Sequence, residues 1–428
     1  MAALIDLQIE RAVAGGRMLA RHDGVVVLVA GAIAGERVRA RIEKRTASLI
    51  LAEVVDVVDA SPSRRNPTCD RRCGGMDYAH VEYAAQLQFK RDVMADAFRR
   101  IGKMDVPPDL HVEASPEEGY RLRARLHVVD RRVGFFREGT HVLCDAVATR
   151  QMSASCVAAV DGLVAQLEAR LSDVSEMVIA ENVSGAERVA HLVLRDDAGP
   201  WREANALSQG LTGVTALRRG RFECVAGEAM VSDTAAQLFF DASPVAADTT
   251  WRRHAASFFQ GNRYLTGSLV RHVLESADGD RVADLYAGVG LFAVALAAQG
   301  ARVVAVEGDS VSGRDLTENA RPFSETLEVV HGSVEDVTRT IRRGAVSTVV
   351  CDPPRTGLSP QALSNILALD APCLVYVSCD PATLARDAAK AIAGGYRLLS
   401  LRGFDLFPNT SHIESVAVFV RAPGSDRS

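Results

Sequence analysis

The chain has 428 residues, is 48% hydrophobic and carries a formal net charge of −5, enough apolar material for two to four cored domains. No stretch reaches the roughly 18 consecutive apolar residues of a transmembrane helix. The opening MAALIDLQIERAVAGG, with its early Asp6 and Glu10, lacks the basic-then-apolar layout of a secretory signal, so a cytoplasmic protein is expected.

Residues 1–58 read as short strands. VVVLVA (25–30) and LILAEVVDVV (49–58) are β-branched and apolar, with punctuation at Gly15-Gly16, Gly24 and Gly31. Closely spaced strands with such turns predict a small OB-like β-barrel. A mildly acidic chain can still bind nucleic acid through local basic surfaces. Arg37, Arg39 and Arg41 in RVRARIEKR are one candidate, supplying sequence-independent affinity for phosphates. Ser61-Pro62 and Asn66-Pro67 then mark a linker.

Residues 59–250 read as a central α+β region. Residues 80–101 predict an amphipathic helix, because Leu87, Met94 and Phe98 recur at helical spacing, and this helix is a candidate to dock on the domain that follows. Arg121, Arg123 and Arg125 alternate, so on a strand they share one face.

Residues 251–428 change pattern. RVADLY, ARVVAVE, AVSTVVC and APCLVYVS are apolar runs of strand length, separated by predicted helices at 291–299, 311–320, 334–343, 360–368 and 382–393. Strand–helix alternation predicts an α/β, doubly wound, Rossmann-like parallel sheet. Ligands in such sheets sit beyond the carboxyl ends of the strands, so the chemistry belongs in the loops after these runs.

The first such loop, DLYAGVGLF, has Gly288-Val-Gly290 for close backbone approach, but Ala293 stands where a dinucleotide fingerprint has its third glycine. Glu307 ends the next strand, where an acid can accept hydrogen bonds from ribose hydroxyls. Pro353-Pro354 rigidify the loop that holds Asp352 at the ligand edge. Together the loops favour a methyl donor over a nicotinamide. Cys379 lies between a strand and a helix, where backbone N–H groups and the helix dipole can lower a thiol pKa. A thiolate that adds to uracil C6 makes C5 nucleophilic, and a base must then remove the C5 proton. Glu414 in SHIES, at the start of the last strand, is the candidate base, and His412 is not.

Phe258-Phe259-Gln260-Gly261-Asn262, DLYAGVGLF, VVAVEG, CDPPRTGL, YVSCDPATLARD and SHIES, in this order, resemble the RNA uracil-5 methyltransferase family, which acts on tRNA or 23S rRNA. The resemblance implies a Rossmann-like S-adenosylmethionine methyltransferase domain at 251–428. It also implies that residues 1–58 are an RNA-binding TRAM barrel. Gln260, Tyr286, Glu307 and Asp352 are then expected to bind the methyl donor, Phe258 to lie by the target base, Cys379 to be the nucleophile and Glu414 the proton acceptor. Asp380 replaces the family's usual Asn and either weighs on the thiolate or caps the next helix. Leu291 stands where relatives often have a polar residue.

Many relatives hold a [4Fe-4S] cluster on four Cys. Here the outline Cys69-x-x-x-Cys73-Gly-Gly-Met76 has Met at the third position, Thr149 falls near the fourth, and Cys144 is out of register, so no cluster or other metal is expected. RNA is the expected partner, with no membrane and no obligate protein partner indicated. 23S rRNA is favoured over tRNA on the ground that family members acting on tRNA usually lack the barrel. The competing readings are a tRNA uracil-5 methyltransferase and a catalytically silent RNA-binding protein.

Overall fold

The computed structural model describes residues 3–422, apart from 169, 200, 202–208 and 241. No helix among the described residues is long and apolar enough to cross a membrane. Five strands, Leu4–Ala12, Met18–His22, Val25–Ala30, Arg37–Arg45 and Leu49–Asp59, close into a barrel. Period-two alternation builds it: Val38 and Ala40 are buried, while Arg37, Arg39 and Arg41 face solvent.

Those three arginines are not the free basic stripe expected of them. Arg37 pairs with Asp59 at 2.9 Å, Arg39 with Asp6 at 3.2 Å and Arg41 with Glu53 at 2.8 Å. The two strands flanking Arg37–Arg45 place each acid directly across from its arginine, so the register neutralises the face.

After the barrel, the helix Tyr83–Ala97 and the turn Phe98–Gly102 lie against the C-terminal sheet. Met94, Ala97 and Phe98 share an apolar cluster with Leu384 and Ala385. Lys90 on the same helix is buried and pairs with buried Asp405 at 2.5 Å. Val112–Glu113 then adds an edge strand to the C-terminal sheet, through pairing with Tyr396–Phe404. Residues from Arg123 to Gly227 instead build a seven-stranded sheet, packed on the helix Ala154–Gln166 through Leu126, Met177, Leu192 and Val160.

The C-terminal sheet has eight strands. Leu327–His331, Arg302–Glu307, Arg281–Leu285, Thr348–Cys351 and Cys373–Ser378 are parallel neighbours in that order. Glu414–Arg421 runs antiparallel between Cys373–Ser378 and Tyr396–Phe404. Strand order reverses at Arg281–Leu285, the switch point at which α/β sheets bind ligands. Apolar clusters cover both faces of the sheet. At roughly 1.5–3 kcal/mol per fully buried Val or Leu, this sheet is the rigid platform for its loops. The helix expected at 334–343 is only Val334–Val337. The Thr338 and Thr340 hydroxyls donate back to the carbonyls of Val334 (2.6 Å) and Val337 (2.8 Å), offering the backbone an alternative to further turns.

Buried ion pairs tie the seven-stranded sheet to the separate hairpin of Met230–Thr234 and Thr250–His254 and to the segment that follows it. Glu181 of the seven-stranded sheet accepts from Arg188 and from Arg263, and Arg253 joins Asp233 while donating to the Glu181 carbonyl at 2.8 Å. Removing one partner of such a pair leaves a buried charge and costs about 3–5 kcal/mol.

Candidate active site

Leaving the strand Arg281–Leu285, the chain passes Tyr286 (φ 63°), Gly288 (φ 58°) and Gly290 (φ 89°) before the helix Leu291–Ala298. A Cβ at Gly288 would meet nothing within 4 Å, so the backbone there is bare toward a ligand. Glu307 braces this turn, accepting from the Gly288 N–H at 2.7 Å and the Asp309 N–H at 2.6 Å. Asp352 accepts from Gln260 Nε2 at 3.0 Å. Phe258, Gln260, Tyr286, Leu291 and Asp352 line one small cleft, with Phe258 61% exposed at its mouth. Asp284, to which the sequence reading gave no role, lies fully buried at the end of its strand. Burial and the neighbouring Asp352 charge push its pKa well above the usual carboxylate range, with the Ala293 N–H acting in the opposite direction.

The antiparallel pairing ends at Ser378↔Ser415, so Cys379 and Glu414 leave the sheet at the same end, close enough that the Glu414 charge acts on the thiol. Glu414 is 4% exposed, its Oε1 has no partner, and burial together with Asp352 raises its pKa well above the ordinary value. The expectation of a depressed Cys379 thiol is corrected here. Burial, then Glu414 and Asp352, push it up to about 12, with Arg355 acting in the opposite direction. The helix N-terminus does not compensate, because the Asp380 carboxylate accepts from the N–H groups of Ala382 (3.0 Å) and Thr383 (2.9 Å). Asp380 therefore caps the helix Pro381–Ala393, and its own charge is a minor contributor to the thiol.

Sequence reasoning missed the residues that hold the loop before Glu414. Asp77 accepts from the Ser411 N–H at 3.1 Å, and Gly16 of the barrel packs so closely on both that a Cβ has no space. Asn409, at φ 66°, exchanges hydrogen bonds with Gln86 and accepts from Arg65 at 2.7 Å. Lys90 donates to the Phe407 carbonyl at 3.1 Å. Asn in a left-handed turn is a readable local sign; its partners, hundreds of residues away, are not. His412 stands among the charges of Asp77, Arg355, Lys90 and Arg121.

The cysteine outline of the sequence does not fit an iron–sulfur cluster. Cys73 is joined to Cys144 in a disulfide, which brings the cysteine judged out of register onto the motif. It gets there because Phe135 pairs with Cys144 and Cys73 bridges to Arg137, just past the end of the strand that carries Phe135. Met76 is a buried thioether, and the Thr149 hydroxyl donates to the Ala146 carbonyl at 2.6 Å. Cys69 remains as a free thiol, and its pKa is raised by burial. Four thiolates are the usual requirement for such a cluster. Anaerobically purified protein is expected to be colourless and free of iron, with Cys73 and Cys144 blocked to alkylation until a reductant is added. Stoichiometric iron and sulfide would refute this.

Residues 242–422 match the family model described as tRNA (Uracil-5-)-methyltransferase. The chain is 34% identical to the 23S rRNA (uracil(1939)-C(5))-methyltransferase RlmD of Chromohalobacter salexigens, over 99% of this chain and 90% of that one. It is 32% identical to the protein of the same name from Pseudomonas putida, over 96% and 93%. Among solved structures it is similar to the Pyrococcus abyssi tRNA (uracil-54, C5)-methyltransferase in complex with S-adenosyl-L-homocysteine (TM-score 0.73, 25% identity, 97% of this chain and 99% of that one). The cleft suits an S-adenosyl ligand, with bare backbone at Gly288, the Asp352 carboxylate on its lining and the strand-end acid Glu307 beside it. The chain belongs to the family of S-adenosylmethionine-dependent RNA uracil-5 methyltransferases.

Proposed function

We propose that this enzyme methylates C5 of a uridine in 23S rRNA through a covalent bond between Cys379 Sγ and uracil C6. The observation that carries the mechanism is the strand pairing that ends at Ser378↔Ser415 and leaves Cys379, Glu414 and Asp352 near enough to act on one another's charge. Gln260, Tyr286, Glu307 and Asp352 hold S-adenosylmethionine, with Asp284 beneath the turn, and the donor supplies an electrophilic methyl group on a sulfonium. The Cys379 thiol loses its proton to solvent and the thiolate adds to C6, so that the C5–C6 π electrons form a C4–C5 double bond and the C4 carbonyl oxygen takes the charge as an enolate. C5 then attacks the methyl group, the sulfonium S–CH3 bond breaks with its electron pair staying on sulfur, and S-adenosylhomocysteine is left. Glu414 removes the C5 proton, the double bond re-forms and the thiolate leaves. Phe258, exposed at the mouth, offers its face to the flipped base. Arg355 favours the thiolate.

The choice of 23S rRNA is supported by what the relatives of 32–34% identity are named for. The barrel does not support it, contrary to the expectation from sequence. The archaeal tRNA enzyme matches 97% of this chain, so a chain of this extent also serves a tRNA substrate. We place the enzyme in the cytoplasm, with RNA as its partner. Mapping 5-methyluridine in rRNA and tRNA from a deletion strain tests the choice: loss of one 23S position is expected, and loss confined to tRNA would overturn it. Donor binding with no methyl transfer to any RNA would favour a silent RNA-binding protein instead.

A further inference from the structure

We infer that the outer face of the seven-stranded sheet, at His127, Phe136 and His141, is a stacking platform for unpaired RNA bases flanking the target uridine. This rests on the RNA-substrate reading above and adds a second contact site to it. The strands Arg123–Val129 and Arg132–Phe136 pair with His127 opposite Gly134. Ala124, Leu126, Val128 and Phe135 point into the apolar core, so Arg125, His127 and Phe136 point outward. Gly134 is packed against the Cys144 carbonyl, where a Cβ would have no space. Two residues on, the Phe136 ring lies parallel to His127 with centroids 3.7 Å apart and planes 3° apart. His141, exposed in the following turn, meets the Phe136 ring edge-on at 5.3 Å.

The charges on this patch are mixed. Arg125 is 57% exposed, and Glu176 lies 3.7 Å from it and 3.5 Å from His127. The mixture favours stacking over simple phosphate capture as the main attraction. A half-buried aromatic pair with exposed His141 at its edge and a cation beside it, on an antiparallel sheet, suits bases of any identity, since every base has a π-face.

The patch is also placed where an RNA strand would pass. Just before the strand Arg123–Val129, the Leu122 N–H donates to the Gly261 carbonyl at 3.0 Å, within the segment that carries Phe258 and Gln260. Arg121 lies over the Phe407 ring at 5.7 Å, on the loop before Glu414. At about 3.4 Å per residue, His127 is roughly 17 Å farther along the strand from Leu122. The strand is therefore a straight path from the target base to the platform, within reach of the next few nucleotides.

The test uses the full chain and a 23S fragment that the wild type methylates. Phe136→Ala is expected to weaken RNA binding by about 5- to 160-fold, the range for losing a base–aromatic stack. S-adenosylhomocysteine affinity, kcat at saturating RNA and the salt dependence of binding stay unchanged. Phe136→Trp is expected to restore affinity, and Arg125→Ala to lower the salt slope by about one contact. His141→Ala, at an exposed turn, gives a second readout should Phe136→Ala melt early, with a smaller loss in the same direction. RNA affinity at the wild-type level in both alanine variants overturns the platform, as does failure of Trp to restore it. Those results leave the substrate reading intact, because that reading stands or falls on turnover of the same fragment by the wild type.

Discussion

Cys379→Ala is expected to reduce methyl transfer to RNA by at least about 10⁴-fold, as removal of a covalent nucleophile generally does. Without addition at C6, C5 has too little electron density to take a methyl group, and nothing else at the cleft offers a second thiol. Cys351 is fully buried behind Asp352, and burial pushes its thiol far up. Donor binding should hold within about twofold, because Cys379 is not among the residues that line the cleft. The fold should hold as well, since the side chain is small and only half-buried. Rapid-quench turnover with labelled donor, alongside calorimetric titration of S-adenosylhomocysteine, reads both quantities. Residual turnover near the wild-type rate would sink the covalent route.

The second large effect is expected at Glu414. Glu414→Gln keeps the shape of the side chain but cannot take the C5 proton, so the reaction should stop after methylation with Cys379 still bonded to C6. The readout is a protein–RNA species that survives denaturation and carries label from the donor methyl group. Normal turnover would assign the base elsewhere. The same variant should report on the buried carboxyl itself. The Glu414 pKa is raised in the folded protein by burial and Asp352. Its stabilising contribution is therefore complete below the unfolded carboxyl value of about 4.3 and is lost as pH rises through the folded value. Gln does not ionise and escapes that loss. Glu414→Gln should thus melt higher than the wild type at neutral pH, with the gap widening upward from about pH 5. Melts that coincide at every pH would show that the carboxyl is not destabilised where it sits.

Both effects follow from motifs that are local in the chain. A strand, a tight turn and a helix start are written within about ten residues. DLYAGVGLF, VVAVEG, CDPPRTGL and YVSCDPATLARD therefore announced their turns and the chemistry of their side chains without help from the rest of the molecule. The same was true of the barrel's alternation along Arg37–Arg45. Residue type also settled that Met76 and Thr149 could not complete a set of four thiolates.

What stands opposite each side chain was decided only by the tertiary structure. Arg37, Arg39 and Arg41 looked like phosphate contacts until register put an acid across from each. Cys144 looked misplaced until strand pairing carried it to Cys73. Cys379 looked activated by its helix, yet burial beside two carboxyls outweighs a dipole whose first N–H groups Asp380 already occupies. The loop before Glu414 is held by Lys90 and Gln86 across separations of 315 and 323 residues. Turn geometry and reactive atoms are properties of a short segment, so a single sequence displays them. Charge state, pairing and pKa depend on the field and solvent exclusion created by distant segments, and these exist only once the chain has folded.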